Sequence, residues 1–220
     1  MTRARVEETR EGIQDAATVE HYDRMLRTLR DRGWMETRGI ILAGIASGKA
    51  LEIGPGPGYL GLEWLEATEG TRLVGLEISL EMIALARRNA EEYGLLSRVE
   101  YVAGDAHHLP FEDEGFDAVF TNGSLHEWAR PEAVFAEIRR VLKPGGRFFV
   151  SDLRRDMSRP MEWLLWLFTR PREIRPGLLS SIRAAYVPGE ARRLPGASSL
   201  VDVRVKANPL GLEITGGKAR

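Results

Sequence analysis

The sequence contains no cysteine, which excludes disulfide bonds and thiolate metal sites. Its net charge is only −1, so the molecule as a whole has no strong field to attract nucleic acid or a membrane. The longest apolar run, residues 163–168, is far too short to span a bilayer. Asparagine and glutamine are scarce and the basic residues are overwhelmingly arginine, a bias typical of both thermophilic proteins and GC-rich genomes. We therefore expect a cytoplasmic protein without a nucleic-acid partner.

The chain of 220 residues has the length of one domain with a substantial core. Between residues 49 and 153, short apolar segments alternate with amphipathic segments of helical period. This alternation predicts βαβ units, and therefore an α/β fold with a parallel sheet and helices on both faces. The predicted strands are 49–53, 71–79, 98–106, 116–123 and 146–153, and the predicted helices are 16–32, 35–46, 58–68, 80–94 and 131–146.

The regions flanking this alternating core have different patterns. Residues 1–47 are predicted to form an N-terminal helical cap, with a loose segment up to Gln14, and residues 48–153 the core. Residues 157–186 are mainly helical in pattern, with breaks near Pro171 and Pro176. The segments 200–207 and 210–216 are close enough to form an antiparallel hairpin that closes the sheet. Residues 154–220 are thus expected to add substrate-side helices and a closing hairpin to the same domain.

The stretch LEIGPGPGYLG, residues 51–61, fits two motifs. From Gly56 it matches G-x-G-x-x-G, in which glycines and helix amides hold a dinucleotide pyrophosphate. From Glu52 it matches E-x-G-x-G-x-G, which places a carboxylate beside the turn. That carboxylate would repel a diphosphate and favour a ligand with an ammonium group. The second motif therefore indicates an adenosine-bearing ligand other than a dinucleotide.

Two further acids follow predicted strands. Glu77 lies 19 residues after Gly58, near the spacing of about 20 expected for an acid that binds ribose hydroxyls; otherwise it is an exposed strand-end residue. Asp105 is placed to accept a hydrogen bond from an adenine amino group; otherwise it is an Asx-turn residue. The neighbouring His107 and His108 do not have the spacing of metal ligands, so we expect no metal and interpret them as surface or cleft-rim residues.

Five motifs in this order resemble those of the class I S-adenosylmethionine-dependent methyltransferases, most closely the small-molecule branch that includes ubiquinone and menaquinone biosynthesis enzymes. The motifs are EIGPGPG, LEI, GDAHHLPF, FDAVFTNGSLHEW and RVLKPGGRFFVSD, within residues 49–152. The resemblance implies a Rossmann-like, doubly wound, seven-stranded sheet of order 3-2-1-4-5-7-6 with strand 7 antiparallel. It also implies S-adenosylmethionine as the cofactor and S-adenosylhomocysteine as its product.

The resemblance assigns roles to individual residues of the core. Glu52 would face the methionine part of the cofactor together with the turn, and Glu77 would hold the ribose. Met82 would lie near the adenosine, although core packing explains it equally well. The remaining turn residues are Gly54, Pro55, Gly56 and Gly58; Ile78, Asp105 and Ala106 would contact adenine; and Asn122 and Gly123 would flank the amino-acid end.

Substrate-side residues are expected near the ends of strands 4 and 5 and on the first helix. His126 is the first candidate for a catalytic base and Glu127 the second, the alternative being that His126 only hydrogen-bonds neighbouring backbone. Tyr22 is placed to contact the cofactor or the acceptor. Trp163 and Trp166 suggest a lid over an apolar or aromatic small-molecule acceptor, or else a helix that packs on the sheet or across a dimer interface.

Two other functions remain open at this stage. A nicotinamide-dependent oxidoreductase would use residues 56–61, but Glu52 and the lack of a second substrate domain weigh against it. The second possible function is that of a methyltransferase-like protein, which binds the cofactor but serves only as a partner of another protein. The sequence distinguishes neither a monomer from a homodimer nor the acceptor atom.

Overall fold

The computed structural model describes residues 4–7 and 15–220. Its helices are α1 (Ala16–Asp31), α2 (Thr37–Leu42), α3 (Tyr59–Glu66), α4 (Leu80–Glu92), α5 (Pro131–Val141), α6 (Arg159–Phe168), α7 (Arg175–Ala184) and α8 (Pro188–Ala191). Its strands are β1 (Lys49–Ile53), β2 (Arg72–Glu77), β3 (Val99–Ala103), β4 (Phe116–Asn122), β5 (Leu142–Leu153), β6 (Val201–Ala207) and β7 (Gly211–Gly217). Short 3-10 turns occupy Leu125–Glu127, Arg172–Ile174 and Leu194–Ala197.

The seven strands form one sheet of order β3-β2-β1-β4-β5-β7-β6. The first five strands pair in parallel, and β7 pairs antiparallel with both β5 and β6. The predicted fold class, strand order and closing hairpin are therefore confirmed. The topology reverses direction between β1 and β4, the place where open α/β sheets bind their ligands.

The sheet carries an apolar core on each face because alternate strand residues point to opposite sides. One core joins β1 residues Leu51 and Ile53 to the apolar side of α5. The other contains Ala50 and the buried side chains of α2, α3 and α4. Because both faces of the sheet are covered, we expect a ligand to contact the strands at their carboxyl ends.

Two helices are shorter than their sequence patterns predict. Helix α5 ends at Val141 rather than at residue 146, because Leu142 already pairs with Phe116 and Gly145 has a positive φ of 79° that helices do not contain. The second helix covers only Thr37–Leu42 of the predicted 35–46.

Residues 4–7 lie near the carboxyl ends of the strands, where Arg5 holds them in place. Nε of Arg5 donates to the Ala184 carbonyl at 2.6 Å, and its Nη2 donates to the His126 carbonyl at 3.0 Å. Its guanidinium also lies 4.3 Å from the centre of the Tyr186 ring. The predicted loose segment up to Gln14 falls mostly on residues 1–3 and 8–14, which lie outside the described residues. Among the helices described, none is long and apolar enough to cross a bilayer.

Candidate functional site

A cleft opens at the carboxyl ends of β1, β2, β3 and β4, with α1 on its far side. Ten of the residues to which the sequence assigns a first-choice role line it: Tyr22, Gly54, Gly56, Glu77, Ile78, Met82, Asp105, Ala106, Asn122 and Gly123. Six others, namely Glu52, Pro55, Gly58, His126, Trp163 and Trp166, are not among the lining residues. The parallel topology thus brings lining residues from Ile53 to Trp128 to one edge of the sheet.

The turn after β1 owes its shape to its glycines. Gly54, Gly56 and Gly58 have φ values of 66°, 53° and 87°, which L side chains rarely adopt. Gly54 and Gly56 line the cleft, whereas Pro55 and Gly58 are buried behind it. A side chain at Gly58, the residue that caps α3, would also collide with the Tyr101 hydroxyl. The turn therefore exposes bare backbone to a ligand.

Glu77, the last residue of β2, is buried and holds the turns after β1 and β2 together. Its Oε2 accepts a hydrogen bond from the Gly56 amide at 3.0 Å. Its Oε1 accepts from the amides of Ile78 and Ser79 at 2.8 and 3.0 Å. Burial raises the pKa of Glu77, against the opposing effect of these three amides. A carboxylate offers about four acceptor positions, so one remains for a ligand hydroxyl unless the ligand displaces an amide.

Glu52 lies beneath the glycine turn and does not reach the cleft. It is 2% exposed, and its carboxylate packs against Gly61 of α3, where a Cβ would overlap Oε2. Burial raises the pKa of Glu52 to about 8, the nearby charge of Glu77 adds to the shift, and a hydrogen bond from the Gly61 amide opposes it. Oε2 has no hydrogen-bond partner among the described residues. Glu52, one residue before the end of β1, is thus buried next to the cleft, and its contact with a ligand ammonium stays a prediction.

Asp105 is held by hydrogen bonds to His107, which the sequence spacing excluded as a metal ligand. Oδ1 of Asp105 accepts from the His107 amide at 2.9 Å and lies 2.7 Å from Nδ1 of His107. Nε2 of His107 accepts from the Arg130 amide at 3.2 Å, so Nδ1 is the ring atom that donates to Asp105. Burial acts to raise the pKa of Asp105, but the hydrogen bonds from His107 outweigh it and hold the pKa below its usual value. A charged carboxylate with Oδ2 still open suits an amino donor.

The end of β4 supplies a small polar wall. Oδ1 of Asn122 accepts from the Ser151 hydroxyl at 2.9 Å, which leaves the amide NH₂ as the group free to donate to a ligand. Gly123 has a φ of 76°, and its amide donates to the Ser151 carbonyl at 2.8 Å. Ser124, whose hydroxyl lies 3.4 Å from the Ile53 carbonyl, lines the cleft beside them.

The apolar part of the cleft lies beside Glu77. Ile78 is 43% exposed and faces the cleft, although most isoleucines in the protein are buried. Met82 is buried and packs with Val19, Leu85 and Tyr22, so it serves both the core and the cleft wall. An open aliphatic surface next to a carboxylate is the arrangement that a nucleoside requires.

His126 is buried at the edge of the site rather than open to it. Its Nδ1 lies 2.9 and 3.0 Å from the two carboxylate oxygens of Asp152, and its amide donates to the same carboxylate at 2.7 Å. The Asp152 side chain is 1% exposed and the His126 side chain 7%. These bonds anchor the 3-10 turn Leu125–Glu127 to the end of β5. The next residue along, Glu127, does line the cleft.

Several lining residues were not assigned from sequence. They are Ile53, Leu76, Gly104, His107, Ser124, Glu127 (named only as a second base) and Trp128. Most of them lie next in sequence to a predicted residue at the same strand end, and this adjacency is what could have identified them as lining residues. Within residues 4–7 and 15–220, no three His, Asp or Glu side chains are grouped to hold a metal ion.

Trp163 and Trp166 lie on α6, away from the cleft lining. No residue of α6 is buried, so α6 does not pack its apolar side on the sheet as one of the sequence interpretations proposed.

Comparison with known proteins agrees with this geometry. The family described as "Methyltransferase domain" matches residues 51–150. The chain is 35% identical over 130 residues to the demethylmenaquinone methyltransferase of Thermus thermophilus, covering 59% of this chain and 58% of that protein. It is 34% identical over 166 residues to the fatty-acid O-methyltransferase of Mycolicibacterium smegmatis, covering 73% and 56%. The chain thus spans little more than half the length of these curated relatives.

A solved structure is similar over nearly the whole chain. The crystal structure of a SAM-dependent methyltransferase from Aquifex aeolicus superposes with a TM-score of 0.69 at 18% identity, covering 93% of this chain and 98% of that one. At such identity the likeness shows the fold. The family match covers residues 51–150, the part of the chain in which the five motifs resemble class I S-adenosylmethionine-dependent methyltransferases.

Proposed function

We propose that the protein transfers a methyl group from S-adenosylmethionine to a small-molecule acceptor. The observation that carries the proposal is the convergence of Glu77, Asp105 and Asn122 on one cleft beside the glycine turn. Each side chain has an unused acceptor or donor of the type that the matching part of the cofactor requires. The same cleft fits a dinucleotide poorly, because no lysine or arginine of residues 4–7 and 15–220 lines it to balance a pyrophosphate.

The cofactor would lie along the strand ends in an extended form. Glu77 would accept from the ribose hydroxyls, and the aliphatic face of Ile78 would pack on the adenine ring. Asp105 would accept from the adenine amino group, with small Ala106 leaving room for the ring edge. The turn at Gly54 and Gly56, with Asn122 and Gly123 opposite, would hold the methionine end. Glu52 would act from below, by supporting the turn through α3.

When bound, the cofactor supplies a methyl group on a positively charged sulfur, which leaves as a neutral thioether. Departure of a neutral group needs no acid, so the residues of this chain have two tasks. They must align the acceptor with the methyl, which is worth about 7–11 kcal/mol when the geometry is well held. They must also accept a proton when the acceptor carries one that has to leave.

Glu127 is the better-placed proton acceptor. It lines the cleft, whereas His126 is turned into a buried pair with Asp152. We infer that His126 and Asp152 act as positioning residues for the 3-10 turn that carries Glu127. This reverses the order in which the sequence pattern ranks the two bases.

The named relatives suggest which acceptors to test first. One is a demethylmenaquinone methyltransferase and the other a fatty-acid O-methyltransferase, so both names denote apolar acceptors. Fatty acids and demethylated quinones therefore form the first panel, with mass spectrometry to detect products heavier by one methyl group.

Calorimetric titration tests the proposal before any acceptor is known. We expect S-adenosylmethionine and S-adenosylhomocysteine to bind with one site per chain, and NADH not to bind. Failure of both ligands to bind to folded protein at millimolar concentration would overturn the proposal. Binding without turnover of any acceptor in the panel would instead favour the non-catalytic alternative.

A further inference from the structure

Helix α6 presents an apolar surface to solvent. Trp163, Leu164 and Phe168 are 60%, 42% and 69% exposed. Together with the exposed Pro160, their spacing of three and four residues places them on one side of the helix. Single exposed apolar residues are ordinary, but a contiguous group that includes two aromatic rings marks an interaction surface.

This surface belongs to a helix that is held in place. The Arg175 guanidinium lies 4.2 Å from the centre of the Trp166 ring, on a different side of α6. Its Nη2 and Nε donate to the carbonyls of Leu167 and Thr169 at 2.8 and 3.2 Å. These bonds satisfy the carboxyl end of α6, so the exposed side is a defined face of an anchored helix.

Basic residues frame the apolar face at both ends of α6. Arg159 opens the helix, and Arg170 and Arg172 follow it; all three are exposed, and none has an ion-pair partner within residues 4–7 and 15–220. Residues 154–183 contain seven arginines and three acids; since Arg155 and Arg175 are buried, the remaining side chains have a net charge of 5 − 3 = +2, whereas the whole chain carries −1. Positive charge is therefore concentrated in the segment that exposes the apolar face.

We propose that α6 binds the surface of an anionic lipid bilayer, with Trp163, Leu164 and Phe168 inserted at the boundary between headgroups and acyl chains. Aromatic side chains favour this boundary, and flanking arginines bind lipid phosphates while their aliphatic stems stay in the apolar layer. The proposal goes beyond methyl transfer and does not depend on it, since binding of the bilayer requires no turnover.

Two other occupants of this face fit less well. A second copy of the chain in a twofold dimer would bring the same arginines of both copies together, which costs free energy. Closure of α6 over its own cleft is not supported by the geometry, because no α6 residue lines the cleft. The segment nevertheless borders the site, since the turn Arg172–Ile174 contacts α1, which carries Tyr22 of the cleft wall.

Co-sedimentation with vesicles tests the proposal. We expect the full chain to bind vesicles of mixed phosphatidylglycerol and phosphatidylcholine, less so at high salt, and to bind pure phosphatidylcholine weakly. The double substitution Trp163→Ser and Phe168→Ser should weaken binding at least about tenfold. Each of Arg159→Gln and Arg172→Gln should weaken binding to the anionic vesicles roughly fivefold.

Trp34→Ser provides the matched control, because Trp34 is also exposed, at 63%, and lies beside Arg32 in a different part of the chain. Its binding should equal that of the wild type. Circular dichroism and thermal unfolding confirm that each variant is folded. The proposal is overturned if the wild type does not bind vesicles or if the double variant binds as the wild type does. It is also overturned if the only effect of the double variant is to abolish a dimer seen by sedimentation velocity.

Discussion

Oε2 of Glu77, at the end of β2, accepts a 3.0 Å hydrogen bond from the amide of Gly56, in the turn after β1. One carboxylate thus shapes the turn and faces the cleft that the turn borders. Substitution at Glu77 should therefore affect the geometry of the site as well as a single ligand contact.

Glu77→Gln should weaken S-adenosylhomocysteine binding roughly ten- to a hundredfold, because hydrogen bonds to a charged group contribute about 1.5–3 kcal/mol. Calorimetry measures this effect directly. Glu100→Gln is the control, since Glu100 lies exposed on the adjacent strand β3 and outside the cleft. Equal affinities of the Glu77 variant and the wild type for S-adenosylhomocysteine would show that Glu77 does not bind this ligand.

Glu52→Gln should change how stability depends on pH. The folded protein holds the pKa of Glu52 at about 8 against an ordinary value of 4.5, so the folded state binds the proton more tightly than the unfolded state. This contribution is complete below pH 4.5 and is lost as the pH rises to about 8. At about 1.4 kcal/mol per pKa unit, the variant should gain up to about 5 kcal/mol relative to the wild type across that window.

Urea unfolding at several pH values tests the Glu52 prediction. The slope of the difference is decisive, because the glutamine NH₂ adds its own constant cost in a buried place. A difference that does not change between pH 5 and pH 8 would show that Glu52 has an ordinary pKa in the folded protein.

His107→Ala should loosen Asp105 and weaken S-adenosylhomocysteine binding roughly two- to tenfold, as expected for hydrogen bonds worth about 0.5–1.5 kcal/mol. His107 bridges Asp105 and the Arg130 amide, whereas the adjacent His108 is exposed. His108→Ala therefore serves as the control and should bind as the wild type does. The idea fails if the two alanine variants bind equally.

Glu127→Gln should lower kcat about 10²–10⁴-fold for acceptors that lose a proton, with cofactor affinity unchanged. His126→Gln should mainly lower Tm, because it leaves the buried Asp152 carboxylate without its ring partner. Steady-state kinetics and thermal unfolding of the two variants separate the roles. Loss of the acidic limb of the pH–rate profile in the His126 variant alone would make His126 the base.

Much of the fold could be predicted because the strong local patterns agree with the topology. Strand β1 begins and ends at the predicted residues, and the hairpin of β6 and β7 was evident from two alternating segments near the carboxyl terminus. The end of α5 was not predictable, because strand pairing of Leu142 with Phe116 overrides a helical pattern that continues toward Gly145.

The site was predictable where a residue ends a strand or follows one. Glu77, Asp105 and Asn122 satisfy that rule and line the cleft. Glu52 lies one residue before the end of β1, and α3 covers it. Its position inside the strand indicates burial, whereas the glycine motif alone indicates only that it is near the turn. The pairing of His126 with Asp152 joins the ends of two strands, and no local pattern specifies such a contact.

Arg5 links the amino-terminal segment to the cleft, which is formed by residues far away in the sequence. Its guanidinium donates to the carbonyls of both Ala184 and His126, so residues 4–7 are bonded to the turn that carries Glu127. A ligand that stabilises this turn should slow amide hydrogen exchange at Val6, whose N–H donates to the Arg183 carbonyl. Occupancy of the cleft can therefore be measured by exchange at the opposite end of the sequence, without a label in the cleft itself.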